Sequence, residues 1–182
     1  MTTNYIKAEL SCKVIIIGDK NTGKSNLLKL MTGEDFTDTY ISTYGCDYRF
    51  QGQFKFFDSS YITKTLCPTT YYAGTHCVFI IYDVSTDPLA TSVNKHIDEI
   101  KKHCRQTVRY VIVGNKTDLI PSSEHSEPPK EIYSGTIFMS LKHHQQISQQ
   151  FIINTFNDWV CPTKIDDQSN DHSVLILPTV IV

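Results

Sequence analysis

The chain has 182 residues, 40% of them hydrophobic and 20% charged, with a formal net charge of −2. A chain of this length can bury about 70% of its unfolded surface in one core, so a single globular domain is expected and a fibrous or disordered chain is excluded. The nearly balanced charge offers no electrostatic case for nucleic acid or an anionic membrane surface.

The opening Met1-Thr2-Thr3-Asn4-Tyr5 lacks the basic-then-apolar build of a signal peptide. Val14-Ile15-Ile16-Ile17 then reads as a buried strand running into Gly18-Asp19-Lys20-Asn21-Thr22-Gly23-Lys24-Ser25 and an apolar-patterned helix. Strand, glycine loop and helix in this order suit a loop that wraps phosphate with its backbone N–H groups. Lys24 is placed to reach the outer phosphates, and the Ser25 hydroxyl to bind Mg2+. Gly18, Lys20, Asn21, Thr22, Gly23, Lys24, Ser25 and Asn26 form the candidate phosphate-binding set. A plain glycine turn closing a strand is the competing reading.

Tyr44 to Phe50 and Gln53 to Phe57 read as two strands joined across Gln51-Gly52. Cys77-Val78-Phe79-Ile80-Ile81-Tyr82 is a continuous apolar run, as a strand covered on both faces requires. Val93, Ile97, Ile100 and Cys104 fall at helical spacing, predicting an amphipathic helix over about residues 90–104. Tyr110-Val111-Ile112-Val113 forms another strand and ends in Gly114-Asn115-Lys116-Thr117-Asp118. A carboxylate accepts two hydrogen bonds only from a ring edge with an N–H beside an amino group, which guanine has and adenine lacks; Asp118 is therefore the natural element of base choice. Asn115 would tie this loop to the phosphate loop, and the Lys116 stem could cover the base face.

Pro121 to Pro129 lies where another helix would usually begin, which is expected to be cut to about one turn after Pro129, and Ile137-Phe138-Met139 then gives a short strand. Ile147, Phe151, Thr155 and Trp159 mark a last helix, with Trp159 read as a core anchor. Alternating strands and helices predict an α/β fold, with ligands beyond the carboxyl ends of the strands. Six cysteines without metal-ligand spacing fit a reduced chain, and the seven histidines form no ligand constellation; His143-His144 read as an exposed helix start. No apolar run approaches the ~20 residues of a membrane span.

These motifs together resemble the small GTPases, in spacing the Rab branch, over about residues 11–160. The resemblance implies a Ras-like P-loop fold with a six-stranded, mostly parallel sheet, helices on both faces and one antiparallel edge strand. It implies that the segment from Phe36 to Tyr48 is a first switch, with Phe36 packing against guanine and Thr43 coordinating Mg2+. Phe57-Asp58 resembles the start of the second switch, with Asp58 on Mg2+ through water. Ser140-Leu141-Lys142 resembles the loop that completes the base pocket. GTP or GDP with Mg2+ is then the expected cofactor set. Effector or regulator proteins are expected to bind the switch segments, through Tyr48, Phe57 and Tyr71 unless these are simply core residues. A monomer in the cytoplasm, peripheral at membranes through partners, completes the expectation.

Where the family reads Asp-Thr-Ala-Gly-Gln-Glu, this chain reads Asp58-Ser59-Ser60-Tyr61-Ile62-Thr63. Tyr61 replaces the glycine that meets the γ-phosphate, and Ile62 cannot orient water as the glutamine does. No catalytic residue is assigned, and slow hydrolysis is expected. The alternative is that Ser59, Ser60 or Tyr61 orients the water. Lys20 stands where Rabs carry a small residue. It either leans over the γ-phosphate or points into water, and either way it obstructs an inserted arginine.

Residues 1–161 are read as the GTPase domain and 162–182 as a polar tail with an apolar end. The last cysteine is Cys161, so no C-terminal prenylation motif is present. The apolar end from Val174 to Val182 either packs as an edge strand or docks into a partner by strand addition. Three functions are open: a Rab-like switch, a non-hydrolysing decoy that titrates effectors, and a P-loop kinase or ATPase, against which Asp118 argues.

Overall fold

The computed structural model describes residues 11–39, 42–43, 45–59, 68–87, 90–104, 108–121, 135–143 and 180–181. Strands β1 (Cys12–Ile17), β2 (Cys46–Gln51), β3 (Phe54–Ser59), β4 (Cys77–Asp83), β5 (Arg109–Asn115), β6 (Gly135–Met139) and β7 (Val180–Ile181) form one sheet in the order β2-β3-β1-β4-β5-β6-β7. Only β2 runs antiparallel, against β3; every other pairing is parallel. The expected six-stranded sheet with one antiparallel edge is thus present, and the two-residue β7 extends it beyond β6.

Side-chain alternation along the strands supplies two cores. Val14 and Ile16 of β1 face helix α1 (Lys24–Met31), which contributes Leu27, Leu28, Leu30 and Met31. Ile15 and Ile17 face the opposite layer, built from α2 (Pro68–Tyr72) and α3 (Thr91–His103). Helix α3 sets Val93, Ile97 and Ile100 against the sheet, as its spacing predicts. Strand β4 is buried along its whole length, because helices cover both of its faces.

The β2–β3 hairpin shifts by one residue from the sequence expectation. Gln51 pairs with Phe54, leaving Gly52-Gln53 as a two-residue loop. The first position of such a loop requires a positive φ, and Gly52 adopts 55° there. The last predicted helix with Trp159, the segment from Ser122 to Pro129 and His144 lie outside the described residues. His143 is exposed, in the turn after Ser140.

Helix α3 has no capping side chain at its first residues and takes one from upstream instead. The Asp87 carboxylate accepts from the N–H and Oγ1 of Thr91 at 2.8 and 2.6 Å, and from the N–H and Oγ of Ser92 at 2.8 and 2.6 Å. Partial burial pushes Asp87 upward, but these four donors outweigh it and hold the carboxyl below its usual range. A depressed folded pKa stabilises at neutral pH, and this contribution is lost as acid protonates the group. Asp87→Ala is therefore expected to cost about 1 kcal/mol at pH 7 and markedly less near pH 3. Urea unfolding at the two pH values checks this; an equal cost at both would contradict it.

Candidate functional site

The carboxyl ends of β1, β3, β4, β5 and β6 meet at one end of the sheet, and the sequence motifs lie on the loops that leave them. Gly18 ends the strand so close to β4 that a Cβ would collide with the Ile81 carbonyl oxygen. Asn21 adopts φ 63° and Gly23 φ 106°, so the loop turns through two left-handed residues before α1 opens at Lys24. A Cβ on Gly23 would collide with the Asn115 amide. No side chain caps α1, which leaves its first N–H groups available to an anion.

Lys24 folds back over the loop and donates to the Asp19 carbonyl oxygen at 2.5 Å, which also accepts from Thr22 Oγ1 at 3.0 Å. Burial lowers the Lys24 pKa, while the charges of Asp58 and Asp19 oppose that shift. An anion in the loop acts in the same direction as those carboxylates and favours the charged lysine. Lys20 is exposed on the outer turn of the loop. Asn26 leaves α1 sideways: its Nδ2 donates to the Thr37 carbonyl at 2.9 Å and its Oδ1 accepts from the Thr37 N–H at 3.1 Å. This exchange pins the segment that carries Phe36, which is half-buried against the α1-side core.

Three oxygen donors converge at the mouth of the loop. Ser25 Oγ donates to Asp58 Oδ2 at 2.6 Å and lies 3.1 Å from Thr43 Oγ1. Asp58, at the end of β3, is fully buried. Two hydroxyls and a carboxylate suit a hard cation such as Mg2+, which takes oxygen ligands and keeps several waters. Among the described residues no cluster of three or more His, Cys, Asp or Glu offers a softer site.

The base motif is tied to this loop by one side chain. Asn115 Nδ2 donates to the Thr22 carbonyl at 2.8 Å, and its Oδ1 accepts from the Leu141 N–H at 3.1 Å. Asn115 thereby joins the phosphate loop, the end of β5 and the loop after β6. Ser140 is buried, and its Oγ has no hydrogen-bond partner among the described residues. Lys142 pairs with Asp38 at 3.3 Å across the surface, a contact too exposed to contribute much. Asp118 stands exposed in the 3-10 turn Thr117–Leu119.

Lys116 takes a left-handed conformation, φ 65°, and its Nζ pairs with Asp83 Oδ2 at 2.6 Å. Burial pushes Asp83 upward, but hydrogen bonds from Lys116 and Ser85 outweigh it and hold the carboxyl below its usual range. Asp83 is a residue the sequence reading missed. Its position at the carboxyl end of a buried strand was the available signal.

The three aromatics separate. Tyr48 is 41% exposed and its ring lies tilted against that of the half-buried Phe57, centroids 4.6 Å apart, whereas Tyr71 is buried in the α2–α3 core. Tyr71 is thus a core residue, while Tyr48 and, in part, Phe57 reach the surface. Ser60, Tyr61, Ile62 and Thr63 lie outside the described residues.

Residues 13–153 match the profile of the Ras family. The chain is 31% identical over 116 residues to the GTP-binding protein YPTM1 of Zea mays, covering 59% of this chain and 56% of that protein. It is 28% identical over 154 residues to the GTP-binding protein YPTM2 of Zea mays, covering 77% of this chain and 76% of that one.

Proposed function

The chain belongs to the Ras family, and from that premise we propose that it is a Rab-like guanine-nucleotide switch that binds GTP and GDP with Mg2+ and hydrolyses GTP slowly. The observation that carries this reading is the Asn115 side chain, which makes one unit of the phosphate loop and the two loops placed to hold a base.

The residues divide the work. The backbone of Gly18 to Gly23 and the N-terminus of α1 wrap the phosphates, with Lys20, Asn21 and Thr22 forming the turn. Lys24 leaves the Asp19 carbonyl to pair with phosphate oxygens. Ser25, Thr43 and Asp58 would hold Mg2+, which neutralises phosphate charge when bound. Asp118 accepts from the N–H and amino edge of guanine, and the loop of Ser140, Leu141 and Lys142 closes the pocket around it. Phe36 and the Lys116 stem flank the base. Thr43 couples the first switch to the cation, so partners that read this segment distinguish the two nucleotide states. Tyr48 and Phe57 offer an aromatic surface to effector or regulator proteins, in vesicle traffic or signalling. Among the described residues no helix is long and apolar enough to cross a membrane.

Hydrolysis needs an oriented water, and Ile62 supplies no hydrogen bond where the family has its glutamine. Single-turnover GTP hydrolysis is expected at least about tenfold slower than in a Rab that carries the glutamine. An equal rate would contradict the reading. The same sequence departure favours a second function, a GTP-bound decoy that sequesters Rab effectors or regulators. Slow turnover together with intact effector binding is its expected signature.

A further inference from the structure

Helix α3 turns Val93, Ile97 and Ile100 into the core, and a buried histidine, His96, lies among them. A buried imidazole is costly unless polar groups meet it. Its Nε2 lies 3.2 Å from Asp19 Oδ1. A carboxylate only accepts, so Nε2 carries the proton and donates. Asp19 is a residue of the phosphate loop, and its carbonyl oxygen is the one that receives Lys24 and Thr22. His96 thus grips by its side chain the residue whose backbone holds the loop lysine.

The other side of the ring faces a second carboxylate. His96 Nδ1 lies 3.8 Å from Glu99 Oε2, beyond hydrogen-bond distance and an ion pair only when the ring is protonated, and Glu99 Oε1 accepts from the Tyr72 hydroxyl at 2.8 Å. Burial, with the Glu99 hydrogen bond, pushes the Tyr72 phenol far above its usual range, so the hydroxyl remains a donor. Tyr72 ends α2, and its ring is stacked on His103 at 5.3 Å. Lys13 fixes that end of α2 to β1 by donating to the Tyr71 and Ala73 carbonyls at 2.6 and 2.8 Å. Helix α3 therefore makes one polar contact to the phosphate loop through the buried His96 and one to α2 through the half-buried Glu99, one turn further along, while Asp19 itself is half-exposed.

We propose that Asp19, His96, Glu99 and Tyr72 form a strut through which α2 sets how long the phosphate loop retains its nucleotide, with His96 as a positioning residue that never touches the ligand. The inference rests on the reading of residues 18–25 as the phosphate site. Coupling of this kind is reciprocal in affinity: whatever grips α2 changes the affinity for nucleotide by some factor, and nucleotide in the loop changes the affinity for that grip by the same factor.

The test loads the full chain with N-methylanthraniloyl-GDP in Mg2+ and follows its release into excess GDP. His96→Leu, which keeps bulk and removes the donor, is expected to release about tenfold faster; that ratio corresponds to about 1.4 kcal/mol. His96→Gln, which restores a donor near Nε2, is expected within about twofold of the parent, and Tyr72→Phe about threefold faster. Asp19→Ala should match His96→Leu, and the double variant should be no faster than either single one, because both remove one interaction. Release from His96→Leu at the parent rate overturns the strut, as does full additivity in the double variant.

Amide exchange across residues 18–24 of nucleotide-free protein gives a readout that needs no ligand. Faster exchange in His96→Leu than in the parent and His96→Gln supports the strut, and equal exchange overturns it. A parent that takes up no GDP defeats the reading of the site, while the exchange comparison still decides the strut.

Discussion

Asp118→Ala is expected to abolish the preference for guanine over adenine nucleotides while leaving the fold intact. The carboxylate would make two charge-assisted hydrogen bonds to the guanine edge, each contributing roughly 1.5–3 kcal/mol. Their loss raises the Kd for GDP by about 10²–10⁴-fold and brings the ratio of GDP to ADP affinity towards one. Asp118 stands exposed in a short turn. Its removal should therefore move unfolding by no more than about 0.5 kcal/mol. Equilibrium titration with GDP and ADP, beside a melting curve, separates the two effects. A variant that keeps its selectivity would show that base choice lies elsewhere.

Asn115→Ala is expected to do the opposite in part, weakening both the fold and the site. This side chain is buried and makes two bonds, to the Thr22 carbonyl and the Leu141 N–H. Truncation leaves both backbone groups without that partner in a tight environment, since Gly23 packs directly against the same amide. Each buried unsatisfied group costs about 1–3 kcal/mol, so the total is about 2–6 kcal/mol. For a domain of this size that lowers Tm by roughly 5–15 °C. Affinity for GDP falls as well, because the phosphate loop and the base loops lose their common anchor. A melting temperature within about 2 °C of the parent would contradict the bridging role.

The parts of this molecule that were legible in sequence are those where the chemistry is local. The glycine loop follows its buried strand and opens a helix as its residues predict, and the structure places Gly18 and Gly23 where no side chain fits. The unbroken apolar run of β4 announced a strand covered on both faces. Asn115 could be assigned its bridging role because a short amide on a strand end has few partners in reach. Contacts between distant segments were not legible. Asp19 and His96 are 77 positions apart, and only the packing of α3 beside the phosphate loop brings them together. The pairing of Lys116 with Asp83 depends on the parallel register of β4 and β5, in which Asp83 lies opposite Asn115. Register also decided the hairpin turn, where a shift of one residue moved the loop to Gly52-Gln53. Tyr48 and Tyr71 lie on the same side of the sheet, and burial separated them because Tyr48 sits on the edge strand β2, whereas Tyr71 packs into the α2–α3 core, which composition does not reveal. The apolar end had two open placements, and of it Val180 and Ile181 pair with β6 at Ile137 and Phe138 as an edge strand does.

The most direct test is nucleotide uptake by the purified, folded chain in Mg2+. Extraction of bound nucleotide followed by titration is expected to give GDP or GTP at one per chain, sub-micromolar affinity, and no competition from ATP. Folded protein that takes up neither guanine nucleotide, even with Mg2+ in excess, would contradict the account at its root.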